Sequence, residues 1–407
     1  EQMPVRASER RCITRMIANG MVPAPVDGPP MSLPHPAPHA SRWIDDPAEL
    51  TAALAAGPAR IGLDTEFIRE RTYWPVLALV QVAVGEEILL VDPTAPGIAA
   101  ALAPILADAS VLKVMHSAGE DLVALKRACG VLPAPLFDTQ VAATLAGVGG
   151  SMGYQKLVEH VTGVVLAKGE TRSDWLRRPL SASQLDYAAD DVRHLFALHD
   201  TLEPKLRDLG RLPWLAADCA RMLANAADDD GDRWPHLALR GAQYLDPAGQ
   251  ARMLRLLRWR EAQARHSDRP RSWILDNELA VALARTPPAD PAELQVVLDG
   301  TPKAPRSLGA PLWQALSTAL PDEAGMPLAR ADDRDKTRLR ALQDAVAARN
   351  AELGLPDGVL ASRRGLQALL GATQAGEPQW PAALEGWRRQ ELEPVLAPLL
   401  AQAPVDR

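Results

Sequence analysis

The sequence predicts an α/β domain, in which a mixed sheet is flanked by helices, followed by two small all-helical domains. Three observations predict this arrangement. Three strand-like apolar segments follow one another closely between residues 60 and 92. Helical and strand-like segments then alternate up to Leu209, as they do in a sheet layered with helices. Beyond an acidic, glycine-broken stretch at 226–232, no segment has a clear strand pattern.

The N-terminal sequence pattern indicates a leader segment followed by a meander of three strands. Residues 1–40 contain eight prolines and no periodic apolar pattern, which is typical of a disordered leader. Strand-like segments bounded by Gly, Pro or charged residues follow at 60–64, 77–84 and 87–92. Because they are so close in sequence, we expect the three strands to pair in order.

The domain boundaries follow from this pattern. The acidic stretch at 226–232 reads as part of a linker, and the short helical segments after it are separated by Pro and Gly. We place the α/β domain at 41–220, the linker at 221–239, and the two helical domains at 240–320 and 330–403.

The bulk composition describes a globular chain without a membrane segment. Its 407 residues, 47% of them hydrophobic, suffice for two or three domains with a sizeable core. Three widely spaced cysteines fit neither a disulfide framework nor a CxxC metal site, so we expect a reducing, cytoplasmic setting. The longest apolar run, Ile98–Ala107, is much shorter than the roughly 18 residues that a membrane span needs.

Charge is distributed unevenly along the chain. The net charge of −7 argues against nonspecific binding of nucleic acid by the whole surface. Residues 1–239 carry 22 basic and 30 acidic side chains, a net charge of −8, whereas residues 240–407 carry 22 and 21, a net charge of +1. The second half is therefore the better candidate for contact with a polyanion.

Two carboxylates follow the apolar run of the first predicted strand. Asp64 and Glu66 come directly after Ile61–Leu63, and positions i and i+2 of a strand share one face. Two acids that face the same way repel each other and lose hydration on burial, so the pair favours a cation between them. Alone the pattern is weak, because acids at strand ends commonly point to water.

Two further acidic positions can join the first pair. Asp121 falls in the first turn of a predicted helix, where an acid also complements the helix dipole. Tyr187 and Asp191 are spaced i, i+4 on one helical face, where a simple surface hydrogen bond is the commoner arrangement. Together, four carboxylates from one strand and two helices, with a tyrosine, provide what a two-metal phosphoryl-transfer site requires.

At these motifs the sequence resembles the DEDD exonucleases, in the subgroup with a tyrosine in its third motif, and within it the ribonuclease D family. The residues that carry the resemblance are Leu63–Phe67 with the stretch that continues to Gln81, His116–Asp121, and Tyr187–Asp191. Supporting segments are Phe137–Gln140 and Lys168–Trp175. The helical units resemble the helicase-and-RNase-D C-terminal (HRDC) domain, clearly over 240–320 and more weakly over 330–403.

The resemblance implies a ribonuclease H-like exonuclease domain and a metal-dependent 3′–5′ exoribonuclease. Such an enzyme would release nucleoside 5′-monophosphates and trim the 3′ ends of structured RNA such as tRNA precursors, using two divalent ions, Mg²⁺ or Mn²⁺. The residues that correspond to the metal ligands are Asp64, Glu66, Asp121 and Asp191. Tyr187 corresponds to the residue that positions the attacking water.

Substrate contacts are predicted at two places. Thr65 and His116 lie within the motifs, although a structural hydrogen bond is the commoner role of such a histidine. Residues 251–271 contain seven arginines and two acids, a local net charge of +5, which favours contact with phosphates. We expect these contacts at Arg252, Arg255 and Arg258, with a solvated helix face as the alternative.

Two other functions remain open at this stage. One is a DNA-directed 3′–5′ exonuclease, because the same carboxylates can cleave either polymer. The other is a non-catalytic RNA-binding protein, which would be expected to have lost an acid. The glycines at 147–153 match no dinucleotide or P-loop spacing, so no nucleotide cofactor is expected. Protein partners and the oligomeric state cannot be derived from the sequence.

Overall fold

The computed structural model describes residues 41–167, 169–170, 173–228, 231–329, 336–373 and 379–401. The predicted leader at 1–40 lies outside these residues. Among the helices in the described ranges, none is both long and apolar enough to cross a membrane.

A mixed sheet, six-stranded within the described residues, forms the centre of the α/β domain. Its order is β1-β4-β3-β2-β5-β6, with β1 at Ser41–Ile44, β2 at Arg60–Ile68, β3 at Val76–Val84, β4 at Glu87–Val91, β5 at Leu112–Met115 and β6 at Leu136–Asp138. The predicted meander is confirmed, because β2, β3 and β4 pair antiparallel in sequence order. The remaining pairs are parallel. The sequence did not reveal β1 and β6, since four and three residues are too short for a periodic signal.

Strand β2 is longer than the apolar pattern indicated. The pattern ends at Asp64, whereas the strand continues to Ile68 and stays paired with β3, with a register shift between Glu66 and Phe67. Its first three residues also pair with β5. The two acids of the first motif therefore stand inside a paired strand, with the register shift directly after the second acid.

Helices flank this sheet, which confirms the predicted fold class. They are α1 at Pro47–Leu54, α2 at Ile98–Ala107, α3 at Gly119–Cys129, α4 at Thr139–Leu145, α5 at Tyr154–Thr162, α6 at Ala182–Arg193, α7 at Leu195–Asp208 and α8 at Leu212–Ala227. Helix α6 packs across β2, β3 and β4 through buried Ala188, Ala189 and Val192. The predicted linker at 221–239 contains the end of α8 and a short 3₁₀ helix at Pro235–Ala238, and a second 3₁₀ helix follows at Arg240–Tyr244.

The first helical region, α9 to α13, has an apolar core of its own. Its helices are α9 at Pro247–Ser267, α10 at Arg271–Ile274, α11 at Asn277–Arg285, α12 at Pro291–Gly300 and α13 at Gly309–Ser317. Leu256, Leu283 and Leu298 are buried in this core. Aspartate side chains cap three of the helices, as expected from the preference of aspartate for N-caps: Asp246, Asp276 and Asp290.

The second helical region, α14 to α16, shares its core with the α/β domain. It consists of α14 at Lys336–Leu353, α15 at Arg363–Thr373 and α16 at Trp387–Leu400. Its buried leucines belong to the same apolar cluster as the sheet. The indole ring of Trp387 stacks on that of Trp214 in α8, with centroids 4.3 Å apart. The two parts are thus joined by apolar packing.

A buried ion pair adds polar contacts to this junction. The guanidinium group of Arg388 donates two hydrogen bonds to the carboxylate of Asp218, at 2.6 and 2.8 Å. The same carboxylate accepts from the indole N–H of Trp387 at 3.1 Å and from Arg221 at 3.0 Å. The side chains of Asp218 and Arg388 are only 6% and 11% exposed, so each depends on its partners for the interactions that water no longer provides.

The Arg388→Ala variant is expected to lose about 3 kcal/mol of unfolding free energy, because truncating one partner leaves a buried charge short of interactions. Urea denaturation followed by tryptophan fluorescence measures the loss. The matched control is Arg389→Ala, whose carboxylate partners Glu385 and Glu393 are exposed. Its cost is expected to stay below about 1 kcal/mol. Equal losses in the two variants would contradict the importance of the buried pair.

Candidate metal centre and active site

Asp64 and Glu66 project from β2 towards helix α6. In the antiparallel register they lie opposite Gln81 and Leu79 of β3, and both acids keep part of their surface accessible. Loss of hydration and the nearby carboxylates raise the pKa of Asp64 well above its ordinary value. Desolvation, followed by repulsion from Asp191, raises the pKa of Glu66 to about 8. These groups resist ionisation unless a cation compensates them.

Helix α6 brings the third motif to these acids. A reciprocal capping box between Ser181 and Gln184 fixes where the helix begins. Tyr187 and Asp191 then face β2 one turn apart, and a hydrogen bond joins their side chains. Burial raises the pKa of Asp191 to about 7 and raises that of the Tyr187 hydroxyl, which therefore stays protonated at neutral pH.

The chain passes very close to the Tyr187 ring. A Cβ atom placed on Gly169 would lie 1.6 Å from the ring, so only glycine fits at this position. The ring of Trp175 lies 6.0 Å from that of Tyr187, measured between centroids. The segment before α6 thus confines the tyrosine next to the acids.

Asp121 reaches the group from the first turn of α3. Its carboxylate accepts a hydrogen bond from the hydroxyl of Thr65, the residue between the two strand acids. Burial raises its pKa to about 7. The turn before α3 is held by Asp138, whose carboxylate accepts from the backbone N–H of Ala118 at 2.8 Å. Asp121 adds to the repulsion at Asp64 and Glu66, as expected for a fourth acid beside them.

The four acids suit a divalent cation. Oxygen atoms of Asp64, Glu66 and Asp191 all lie within 4.8 Å of one another. Hard cations such as Mg²⁺ and Mn²⁺ prefer carboxylate oxygen. Among the described residues, no arginine or lysine forms an ion pair with these four acids; the nearby Arg69 and Arg193 pair with Glu120 and Asp190 instead. The pKa values of the acids are raised accordingly. A metal ion would supply the missing compensation.

The acids next to these in sequence point elsewhere, because adjacent positions on a helix lie about 100° apart around its axis. The side chain of Glu120 is 64% exposed and pairs with Arg69. That of Asp190 is 37% exposed and pairs with Arg193 at 2.8 Å. Neither belongs to the cluster of carboxylate oxygens.

Both residues predicted to contact substrate within the motifs, Thr65 and His116, have hydrogen-bond partners inside the protein. The Thr65 hydroxyl is buried against Asp121, so this side chain positions an acid. The Nδ1 atom of His116 lies 2.9 Å from the Thr139 hydroxyl, and burial lowers the pKa of the imidazole. The contact of both residues with substrate stays a prediction.

The three arginines predicted to bind phosphate form hydrogen bonds within the first helical region and with the segment that follows it. Arg255 makes a two-pronged pair with Glu323, and Arg258 donates to Asp322 at 2.8 and 3.0 Å. Arg252 donates to the backbone carbonyl of Ala284 at 2.8 Å. These guanidinium groups therefore already have hydrogen-bond partners within the protein, which does not favour a contact with phosphate. The phosphate contact of the three arginines stays a prediction.

The sequence did not reveal a polar junction between the α/β domain and the first helical region. The Tyr73 hydroxyl bonds to the Glu261 carboxylate and accepts from Arg265 and Arg271, each at 3.0 Å. The carboxylate of Asp268 accepts from the backbone N–H of Tyr73, also at 3.0 Å. Tyr73 lies in the segment of the first motif that follows β2, but no local pattern indicates partners about 190 positions away.

The same segment leads back to the metal centre. Arg69 donates to the Tyr73 carbonyl at 2.9 Å and to the Glu120 carboxylate at 2.5 Å. Glu120 precedes Asp121 in α3. A continuous set of hydrogen bonds therefore runs from the first helical region to the helix turn that carries an acid of the centre.

Comparison with known families agrees with the motifs. A family model described as 3′-5′ exonuclease matches residues 41–207, and the HRDC domain model matches residues 249–316. Exonuclease domains of this type use divalent metal ions, which agrees with the acidic cluster. The exonuclease domain acts on nucleic acid, and the HRDC domain points to nucleic-acid binding.

Curated relatives match most of the chain. It is 64% identical over 360 residues to ribonuclease D of Xanthomonas oryzae pv. oryzae, a match that covers 88% of this chain and 98% of that protein. It is 36% identical over 373 residues to ribonuclease D of Pseudomonas paraeruginosa, covering 89% and 98%.

Solved structures show the same fold. The crystal structure of Escherichia coli RNase D has a TM-score of 0.77 and 30% identity, and the match covers 90% of this chain and 100% of that one. The catalytic core of RRP6 from Trypanosoma brucei, at 22% identity and a TM-score of 0.52, covers 70% and 80% and shows the fold alone. Because it is 64% and 36% identical to two ribonucleases D over nearly their full length, the chain belongs to the ribonuclease D family of 3′–5′ exoribonucleases.

Proposed function

We propose that this exoribonuclease uses two divalent ions, Mg²⁺ or Mn²⁺, to trim the 3′ ends of structured RNA, tRNA precursors among them. The observation that carries the proposal is the set of carboxylate oxygens from Asp64, Glu66 and Asp191 within 4.8 Å, with Asp121 beside them. The E. coli relative is described as an exoribonuclease involved in structured RNA processing.

In this proposal the four acids would hold the metal ions, and the carboxylate of Asp64 is the one that interacts with all three others. Bound divalent ions would supply an activated water and charge compensation for the leaving oxygen. The all-oxygen donor set suits either metal. The Thr65 hydroxyl keeps the Asp121 carboxylate in place.

Tyr187 orients the attacking water through its hydroxyl, which stays protonated because its pKa is raised. The water oxygen bonds to the phosphorus of the terminal nucleotide, and the bond from phosphorus to the 3′-oxygen of the preceding nucleotide breaks. That oxygen takes a proton and becomes the new 3′-hydroxyl of the shortened RNA. The product is a nucleoside 5′-monophosphate. Glu66 accepts a hydrogen bond from the terminal 3′-hydroxyl, which restricts cleavage to chain ends.

The body of the RNA is held outside the metal centre. We assign catalysis to the exonuclease domain at 41–220 and grip to the helical domains at 240–320 and 330–403. A cleft of about 1110 Å³ opens between the segment that follows β2 and the first helical region, lined among others by Arg69, Arg271 and exposed Lys303. Arg69 and Arg271 pair with Glu120 and Glu261, as Arg255 and Arg258 pair with carboxylates of their own, so we assign the phosphate contact of this cleft to Lys303.

Neighbouring aspartates on α6 test the metal centre. Asp191→Asn is expected to reduce the rate of 3′ shortening about 10³-fold, because loss of a metal ligand removes several kcal/mol of transition-state stabilisation. Asp190→Asn, which only loses its pair with Arg193, should keep the rate within about threefold. The rates are measured on 5′-labelled RNA in Mg²⁺ and in Mn²⁺. A similar loss in both variants would mean that the fold, rather than the ligand, is affected.

Tyrosine hydroxyls test the orientation of the water. Tyr187→Phe is expected to lower kcat about 10²-fold even at saturating Mn²⁺, because the ring stays packed while the hydroxyl is lost. Single-turnover kinetics give the chemical rate, and calorimetry gives the Mn²⁺ concentration that saturates the variant. Tyr244→Phe, at a residue 67% exposed, serves as the control and should have wild-type kinetics. A Tyr187→Phe enzyme with wild-type kcat would remove the tyrosine from the mechanism.

The substrate is tested with a tRNA precursor that carries a short 3′ extension, made either of RNA or of DNA. We expect stepwise shortening of the RNA extension towards the acceptor stem, and none in EDTA. The DNA extension should be shortened at least about tenfold more slowly, because groups that recognise the 2′-hydroxyl lose their partner. Equal rates on both extensions would favour the DNA-directed alternative.

A further inference from the structure

Gln81, in the middle of β3, is a buried polar side chain without a partner. It has no exposed surface, and within the described residues neither its amide nitrogen nor its amide oxygen has a hydrogen-bond partner. Buried polar groups in native proteins are almost always hydrogen-bonded, because an unpaired one is costly. An unpaired buried amide therefore points to a partner other than the side chains that surround it.

The register of the sheet identifies the direction in which the partner lies. Gln81 pairs with Asp64 on β2 and with Leu90 on β4. Directly opposed residues share a face, with Cβ atoms roughly 5 Å apart. Along β3, its neighbours on this face are Leu79 and Ala83. Of the residues directly beside it in the sheet, Asp64 alone is polar, and the diagonal neighbour Glu66, opposite Leu79, belongs to the same metal centre.

The helix above this face offers no polar partner outside the metal centre, to which its Tyr187 and Asp191 belong. Helix α6 crosses β2, β3 and β4, and its buried side chains are those of Ala188, Ala189 and Val192. The side chain of Thr65 points to the opposite face of β2, and its hydroxyl already donates to the Asp121 carboxylate. The amide of Gln81 is thus enclosed by apolar groups except on the side of the metal centre.

We propose that Gln81 is a positioning residue of the metal centre, whose amide N–H donates to the Asp64 carboxylate and fixes its orientation when metal is bound. This inference rests on the proposed function and adds a residue to it. Carboxylates that ligate metals are usually hydrogen-bonded in turn, and losing such a partner typically weakens metal binding about 10- to 100-fold. Asp64 needs this support most, because it is the acid that faces the other three.

The proposal separates stability from metal binding. Methionine has nearly the shape of glutamine and no amide, so Gln81→Met removes the unpaired group and still fills the space. Its melting temperature without metal should equal or exceed that of the wild type. A purely structural glutamine would behave in the opposite way, because its removal would break existing hydrogen bonds.

The chain contains a suitable control in Gln250. It is buried too, but its amide donates to the carbonyls of Leu245 and Ala329 at 3.1 and 2.8 Å and accepts from the N–H of Ala329 at 2.6 Å. It lies at the start of α9, outside the metal centre. Gln250→Met should therefore lower the melting temperature without changing metal affinity.

The experiment compares the full chain with both variants, using Mn²⁺ alone as the titrant in calorimetry and thermal unfolding in EDTA. We expect Gln81→Met to bind Mn²⁺ about tenfold more weakly, with kcat lowered and KM for RNA unchanged. Mn²⁺ affinity within twofold of the wild type would overturn the role of Gln81 and leave the metal centre intact. No Mn²⁺ binding by the unsubstituted chain would overturn the metal centre and this role together.

Discussion

Repulsion among four carboxylates is the constraint on which the rest of the α/β domain depends. Asp64, Glu66 and Asp191 place oxygen atoms within 4.8 Å of one another, and the pKa values of all three are raised. Without metal, this group opposes folding, so packing elsewhere must hold it together. The paired strand β2, the capping box of α6 and the Thr65 hydroxyl each fix one part of the group.

The hydroxyl of Tyr154 adds a fixed point behind the acids. It donates to the Asp190 carbonyl at 3.0 Å and accepts from the His194 N–H at 3.1 Å, where α6 ends. Burial raises its pKa, so the donor proton stays in place. The end of α6 is therefore tied to α5, and Asp191 cannot relax away from β2 without breaking these bonds. A preorganised site of this kind gives the metal ions a ready donor set.

The sequence sufficed for the residues whose geometry is local. Asp64 with Glu66 follows from the period of a strand, and Tyr187 with Asp191 follows from the period of a helix. The meander was also predictable, because short turns join neighbouring strands. That the two pairs meet was implied only by the family resemblance, since no periodicity states which helix packs on which strand. The core shared by α8 and α16 had no sequence signal for the same reason.

A count of charges does not identify partners that are distant in sequence. Seven arginines against two acids at 251–271 favoured contact with phosphates, which stays a prediction, whereas Arg255 and Arg258 pair with Glu323 and Asp322, more than sixty positions away. A net charge over a window counts cations and says nothing about carboxylates that the fold brings to them. Gln81 ends the first motif, but no role for it follows from the sequence, because its polar neighbour is determined by the register of β3 against β2. Metal ligands are visible in a sequence when one element carries two of them, whereas the groups that orient a ligand become visible only once the strands are paired.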